Sequence, residues 1–167
     1  SGPLMLFVHG FPSFWYSWLD QMEAFKATHR VVAIDALGAG LSGRPATLMP
    51  YRIDRLADGI DALARHLCAG GRCGPQGRFV LVGHDWGAAL AFAFAQDRPH
   101  RLEAVIGLNA PPYNQFLDLL ENSAEQQKRS GYMQAFRALP QGAADAAMAR
   151  RVWQQAYGEL HAAGALT

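Results

Sequence analysis

One short segment near the middle of the chain constrains the fold more than any other. Residues 79–92 read Phe-Val-Leu-Val-Gly-His-Asp-Trp-Gly-Ala-Ala-Leu-Ala-Phe, a strand-like run, a turn and an apolar helix-forming run. Gly83 and Gly87 bracket Asp85 in this turn. Side chains at those two positions would collide where strand and helix cross, which explains the glycines. The segment predicts a sharp turn that holds Asp85 in a strained backbone conformation, above the carboxyl end of a sheet.

The other apolar runs alternate with helical patterns, which is typical of βαβ units and a parallel sheet. These runs are continuous, as expected for strands whose two faces are both covered by helices. The predicted fold class is therefore α/β, a parallel sheet flanked by helices. The predicted strands are Leu4–Val8, Arg30–Asp35, Phe79–His84 and Ala104–Asn109, the helices are Trp15–Thr28, Ile53–Ala69 and Ala88–Gln96, and the loops are Leu37–Tyr51 and Gly70–Arg78.

The composition shifts after Pro111-Pro112, where the chain becomes rich in Gln and Ala and helical in pattern. We therefore expect residues 1–112 to form the N-terminal part of a sheet-bearing core. Residues 113–167 are expected to form part of a helical cap over the sheet, and a terminal helical extension is the alternative. Four parallel strands would leave both edges of the sheet bare. For that reason we expect the chain to be a piece of a longer protein.

The overall composition limits the classes of partner. Half of the residues are apolar, 17% are charged and the formal net charge is +1, which gives no electrostatic footprint for nucleic acid or an anionic membrane. No apolar run approaches the roughly 20 residues that span a bilayer. Cys68 and Cys73 are predicted to be free thiols in a reducing compartment, the cytoplasm, and no further ligands complete a metal site around them.

Asp85 stands where the G-x-D-x-G spacing of a nucleophile elbow has its reactive residue. The positive end of the following helix would keep the carboxylate ionised. A carboxylate can displace a leaving group at saturated carbon and form an alkyl ester that water then cleaves. Epoxides and alkyl halides are the two obvious substrate classes. The structural alternative is that Asp85 only caps the helix.

The loop after the first predicted strand reads His-Gly-Phe-Pro. In an elbow enzyme this loop supplies one backbone N–H to the oxyanion, and the residue after the nucleophile supplies the other. Phe11 and Trp86 are the predicted oxyanion donors. Phe11, Pro12 and Trp86 are also predicted to contact the substrate.

A glycine-rich run, residues 38–43, spells G-x-G-x-x-G after a strand. Arg44-Pro45 follows where a dinucleotide site would open a helix, and no strand ends in an acidic residue at the required distance. The run is therefore not interpreted as a nucleotide site, and no cofactor is expected.

Four segments together resemble the soluble epoxide hydrolases of the α/β-hydrolase superfamily. They are HGFPSFWYSW at residues 9–18, DALGAGLSGRP at 35–45, GHDWG at 83–87 and LNAP at 108–111. The resemblance implies a cis peptide at Phe11-Pro12, an epoxide and water as substrates, and hydrolysis to a vicinal diol through an ester on Asp85. Three aromatic residues within the first segment, Trp15, Tyr16 and Trp18, are predicted to pack in the core.

Family members use two cap tyrosines to donate a proton to the epoxide oxygen as the ring opens. The segment Ser130–Phe136 resembles the one that carries the first of them, so Tyr132 is predicted to be catalytic and to contact the substrate. Tyr113 and Tyr157 lie in segments without that resemblance. The second tyrosine is expected beyond Thr167.

The mechanism also requires a histidine base oriented by a carboxylate, and neither is placed here. The resemblance therefore implies that the family's C-terminal strands, with this base and its carboxylate, are missing from these 167 residues. His84 should point away from the elbow tip, His100 lies in a turn at the far end of the next helix, and His161 lies in a helical stretch. The chain alone is therefore not expected to turn over. Two alternatives remain. The chain could be an inactive hydrolase-like fragment or binding protein, or the enzyme could be a dehalogenase. Against the second, haloalkane dehalogenases usually carry Asn where Phe11 stands, and fluoroacetate dehalogenases carry Arg where Trp86 stands. The oligomeric state is not predicted.

Overall fold

The structure is a computed structural model, and it describes residues 2–133 and Gln154. Four parallel strands form one sheet in the order β2-β1-β3-β4. The strands are β1 (Leu4–Val8), β2 (Arg30–Ile34), β3 (Phe79–His84) and β4 (Leu102–Leu108). The predicted α/β class is confirmed, and β1 and β3 have the predicted bounds.

Helices connect the strands and follow the last one. They are α1 (Leu19–Phe25), α2 (Ile53–Cys68), α3 (Trp86–Asp97), α4 (Tyr113–Asn122) and α5 (Ala124–Arg129), with short 3₁₀ turns at Trp15–Trp18, Met49–Tyr51, Pro75–Gly77 and Pro99–Arg101. The predicted helix over residues 15–28 is therefore a 3₁₀ turn and a shorter α-helix. In the part of the chain that the structure describes, every helix is too short or too polar to cross a membrane.

The two faces of the sheet carry separate apolar clusters, because alternate residues of a strand point to opposite sides. On one face, α2 and α3 cover Leu4, Leu6 and Val8 of β1. On the other face, Met5 and Phe7 pack with Trp18, which precedes α1. The central strand β1 is thus buried on both faces, as its continuous apolar sequence predicts.

The aromatic segment before α1 does not pack into the core as a whole, so that prediction holds only for Trp18. The ring of Trp18 is buried and lies 5.0 Å from that of Phe7. Trp15 and Tyr16 are 40% and 55% exposed. Their rings pack on each other at 6.4 Å, and Tyr16 stacks on Phe14 at 5.7 Å. These side chains therefore cover one another at the surface.

The strand β4 is less buried than its sequence predicts. Gly107 lies against the ring of Phe92 in α3, so this face is covered. On the opposite face, Ile106 and Leu108 are each about two-fifths exposed. That face of β4 is therefore only partly covered by the rest of the first 116 residues.

An ion pair ties α2 to the amino end of β4. Burial raises the pKa of the Asp61 carboxyl, but hydrogen bonds from Arg101 at 2.7 Å and Arg65 at 2.9 Å outweigh it. The pKa of Asp61 is therefore below its usual value. The stabilisation is present at neutral pH and is lost as the pH falls through that lowered pKa.

Backbone contacts divide the chain into two compact units, Ser1–Phe116 and Leu117–Thr167. The first holds the sheet and α1 to α3. In the second, α5 begins with the Gln126 N–H donating to the Ser123 hydroxyl, a helix cap. The predicted cap over residues 113–167 stays a prediction.

The prediction of free thiols is wrong, because Cys68 and Cys73 form a disulfide. Gly70 and Gly71 both have positive φ angles, which turn the chain back beyond the end of α2. The Cα atoms of the two cysteines are thereby brought to 4.9 Å. The expected cytoplasmic location rested partly on reduced thiols, and it stays a prediction.

Alkylation tests this disulfide directly. Iodoacetamide should leave the mass of the unfolded, unreduced chain unchanged and should add two carbamidomethyl groups after reduction. Reduction should also lower the free energy of unfolding by about 2 kcal/mol, because the crosslink restricts the unfolded chain. The double variant Cys68→Ser/Cys73→Ser is the control, since reductant should not change its stability. Double alkylation without reductant would contradict the pairing.

Candidate active site

The sharp turn predicted at Asp85 is present between β3 and α3. Asp85 has φ 54° and ψ −121°, a conformation that side chains other than glycine seldom adopt. Its N–H donates to the Leu108 carbonyl of β4 at 2.9 Å, and its carbonyl accepts from Ala88 and Ala89. The strained residue is thus held by backbone hydrogen bonds on both sides.

Close approach of backbone segments explains the two bracketing glycines. A Cβ atom at Gly83 would overlap the backbone of Gly87. A Cβ atom at Gly87 would overlap the carbonyl oxygens of Val8 and His9, at the end of β1. Because these neighbours are backbone atoms of α3 and of the end of β1, they cannot move aside cheaply. The elbow therefore requires β1, β3 and α3 in one arrangement.

The Asp85 carboxylate points to the loop after β1 and makes no capping hydrogen bond to α3. Its Oδ1 accepts the Phe11 N–H at 2.9 Å. The two carboxylate oxygens are therefore not equivalent, since no such bond to Oδ2 occurs among the described residues. A helix cap does not explain this residue.

The loop after β1 passes very close to Asp85. A Cβ atom at Gly10 would lie 2.5 Å from Asp85 Oδ1, which explains the glycine of the His-Gly-Phe-Pro sequence. The Phe11-Pro12 peptide is cis, as the resemblance implies. Phe11 is 51% exposed and Pro12 is half-buried. This loop thus borders the carboxylate with one backbone donor, the Phe11 N–H.

The other predicted oxyanion donor, the Trp86 N–H, belongs to the first residue of α3. The first N–H groups of a helix lack an intrahelical acceptor and point out of its amino end. The Trp86 indole is 38% exposed and meets the ring of Phe116, in α4, edge-on at 6.3 Å. Sequence reasoning did not single out Phe116, because nothing local links it to the elbow.

The predicted tyrosine lies in the second compact unit. Tyr132 follows α5 in a helical stretch and is 43% exposed. Asp85 belongs to the first compact unit, so the catalytic role of Tyr132 stays a prediction. Tyr113 begins α4, and Tyr157 lies outside the described residues.

No histidine of residues 2–133 hydrogen-bonds the Asp85 carboxylate. His84 ends β3 and is half-buried. His100 lies in the turn before β4, at the amino end of that strand, whereas Asp85 follows the carboxyl end of β3. His161 lies outside the described residues. In the same described part, no group of three or more His, Cys, Asp and Glu side chains could hold a metal ion.

Comparison with known proteins identifies the family. A family model for the alpha/beta hydrolase fold matches residues 3–157. The chain belongs to the alpha/beta hydrolase fold family. Within it, the chain is 37% identical over 131 residues to epoxide hydrolase 1 of Caenorhabditis elegans, covering 78% of this chain and 31% of that protein. It is 42% identical over 112 residues to epoxide hydrolase B of Mycobacterium tuberculosis, covering 66% and 29%.

Solved structures agree with this assignment. The structure of a Bacillus megaterium epoxide hydrolase in complex with an inhibitor is similar, with a TM-score of 0.71 and 37% identity. The alignment covers 81% of this chain and 45% of that one. The predicted resemblance to epoxide hydrolases is thus confirmed. The chain spans less than half the length of these relatives.

Two helical glycines give a matched test of the elbow. Gly87→Ala should lower the free energy of unfolding by about 1–3 kcal/mol, because its methyl group overlaps backbone atoms of β1. Gly59→Ala in α2 should raise it by about 0.5–1 kcal/mol, because a Cβ atom there meets nothing within 4 Å. Urea unfolding of both variants measures the difference. Equal stability of the two variants would contradict the close crossing.

Proposed function

We propose that the protein to which this chain belongs hydrolyses an epoxide to a vicinal diol, and that Asp85 is the nucleophile. The observation that carries the proposal is the hydrogen bond from the Phe11 N–H to Asp85 Oδ1 at 2.9 Å. It engages one oxygen of a carboxylate held in a strained turn at the amino end of a helix. The names of the relatives support an epoxide as the electrophile.

In the first step, Asp85 Oδ2 attacks one carbon of the epoxide ring. A new carbon–oxygen bond forms, the ring carbon–oxygen bond breaks, and its electron pair goes to the former ring oxygen. That alkoxide takes a proton from a phenol, for which Tyr132 is the candidate. The product is a hydroxyalkyl ester of Asp85, with Oδ1 as its carbonyl oxygen.

In the second step, water attacks the carbonyl carbon of that ester. The negative charge that develops on Oδ1 is stabilised by the N–H groups of Phe11 and Trp86. Because the Phe11 N–H already lies on Oδ1, little rearrangement is needed at that moment. A base takes one proton of the water. When the intermediate collapses, the ester bond to the alkyl oxygen breaks, the departing alkoxide takes the remaining proton of that water, and the Asp85 carboxylate is restored with release of the diol. The base then returns its proton to the phenolate left by the first step. We expect this base and its carboxylate partner in a part of the protein outside these 167 residues.

A dehalogenase is less well supported. Halide release needs side-chain donors around the leaving group, and Phe11 has an apolar side chain where such a donor would stand. The relatives reported above are named as epoxide hydrolases. Chloride release from a chloroalkane, without an adduct or diol from styrene oxide, would favour the dehalogenase.

Alkylation by styrene oxide tests the nucleophile. We expect one adduct per chain in the intact mass, mapped by peptide sequencing to Asp85, because the Phe11 N–H holds its Oδ1 while its Oδ2 accepts no hydrogen bond among the described residues. Asp85→Asn should form none, and the matched control Asp97→Asn, which changes an exposed carboxylate at the far end of α3, should react like the wild type. Formation of more than one mole of diol per mole of chain would contradict the expectation that the base lies outside these 167 residues. An adduct on Asp85→Asn would contradict the proposed nucleophile.

A further inference from the structure

A second carboxylate, Asp35, lies at the carboxyl end of β2 and binds backbone from two loops. Its side chain is only 9% exposed. Oδ1 accepts the Trp15 N–H at 3.0 Å, and Oδ2 accepts the Leu41 N–H at 3.1 Å. Its own carbonyl accepts the Ser42 hydroxyl at 2.7 Å. Each oxygen of this carboxylate therefore fixes a different segment of chain.

The glycine-rich run at residues 38–43 wraps this carboxylate. Gly40 has a φ of 49°, and a Cβ atom there would overlap Asp35 Oδ2. After the run, the next α-helix begins only at Ile53. The G-x-G-x-x-G pattern thus encloses a side chain of this protein, in place of the phosphates of a dinucleotide.

His9 makes a second link between the same loops. Its Nε2 accepts the Ala36 N–H at 3.0 Å, so the proton lies on Nδ1, which donates to the Gly10 carbonyl at 2.7 Å. The His9 side chain is 4% exposed. The loop after β1 is therefore attached to residues 35–36 at both of its ends, at His9 and at Trp15.

Phe11 lies between these two attachment points. Its N–H is the donor to Asp85 Oδ1. Hydrogen bonds from backbone N–H groups to an ionised carboxylate are about twice as strong as neutral ones. The Asp35 bond to Trp15 thus fixes the far end of the segment that carries this donor, while His9 fixes its near end.

We propose that Asp35 is a positioning residue, which holds the oxyanion-loop segment His9–Trp15 so that the Phe11 N–H meets Asp85 Oδ1. A small displacement of such a donor slows the catalysed reaction. The catalytic role of this placement therefore rests on the proposed function. The placement itself does not depend on any reaction. It can therefore be measured on the protein without substrate.

Amide hydrogen exchange followed by NMR measures the placement. In the wild type, the amides of Phe11, Trp15 and Leu41 should all be protected, although they lie in exposed loops. In Asp35→Asn, an amide group replaces one acceptor oxygen, and exchange at Phe11 should accelerate by about tenfold or more. Amides of β1 and β3 should keep their wild-type exchange rates.

Asp61→Asn is the matched control. It removes another largely buried carboxylate, one that binds Arg65 and Arg101 away from the loops. This variant should lose thermal stability and yet leave exchange at Phe11 unchanged. If Asp35→Asn does not fold, Gly40→Ala serves instead, because its methyl group displaces the Asp35 carboxylate and should expose the same amide.

Three results would overturn the positioning role. The first is an unprotected Trp15 or Leu41 amide in the wild type. The second is unchanged exchange at Phe11 in Asp35→Asn or Gly40→Ala, and the third is equal acceleration in Asp61→Asn. The rate of alkylation by styrene oxide separates this inference from the proposed function. If the amides exchange as expected but the wild type forms no adduct, the proposed nucleophile is rejected and the positioning role of Asp35 is kept. If alkylation is slower in Asp35→Asn and not in Asp61→Asn, the placement of the Phe11 N–H matters for the reaction of Asp85.

Discussion

The close crossing of backbone beneath Asp85 is the constraint on which the rest of the structure depends. The end of β1 passes the first turn of α3 so closely that Gly87 has no room for a Cβ atom. The same crossing brings the loop after β1 against the Asp85 side chain, where Gly10 is required for the same reason. Only in this arrangement can the Phe11 N–H reach Oδ1. Packing in the sheet and chemistry at the site are therefore fixed by the same contacts.

The second layer of the site is built from polar groups that do not touch the predicted reacting atoms. Asp35 and His9 connect the loop after β1 to the loop after β2 through two hydrogen bonds, and each side chain makes one further bond within its own loop. Both side chains are largely buried, so water competes little for these bonds. A surface loop with exposed Phe11 and Trp15 side chains can in this way hold its backbone in a defined place.

The sequence predicts those parts of the molecule that depend on local pattern. The continuous apolar runs of β1 and β3 and the glycines around Asp85 each carry their own signal, and all of them are found in the structure. Contacts between remote loops carry no such signal. The bond between Phe11 and Asp85 joins residues 74 positions apart, and the Asp35 contacts depend on how two loops meet after the sheet has formed. The disulfide was missed for a related reason, since its geometry depends on the positive φ angles of Gly70 and Gly71.

The two oxygens of Asp85 have different tasks in the proposed reaction, and a crystal structure of the styrene oxide-treated chain would distinguish them. We expect electron density for an alkyl group on Oδ2. We also expect the ester carbonyl oxygen, Oδ1, to stay about 3 Å from the Phe11 nitrogen. An alkyl group on the oxygen that faces Phe11, or an ester carbonyl turned away from that N–H, would contradict this expectation.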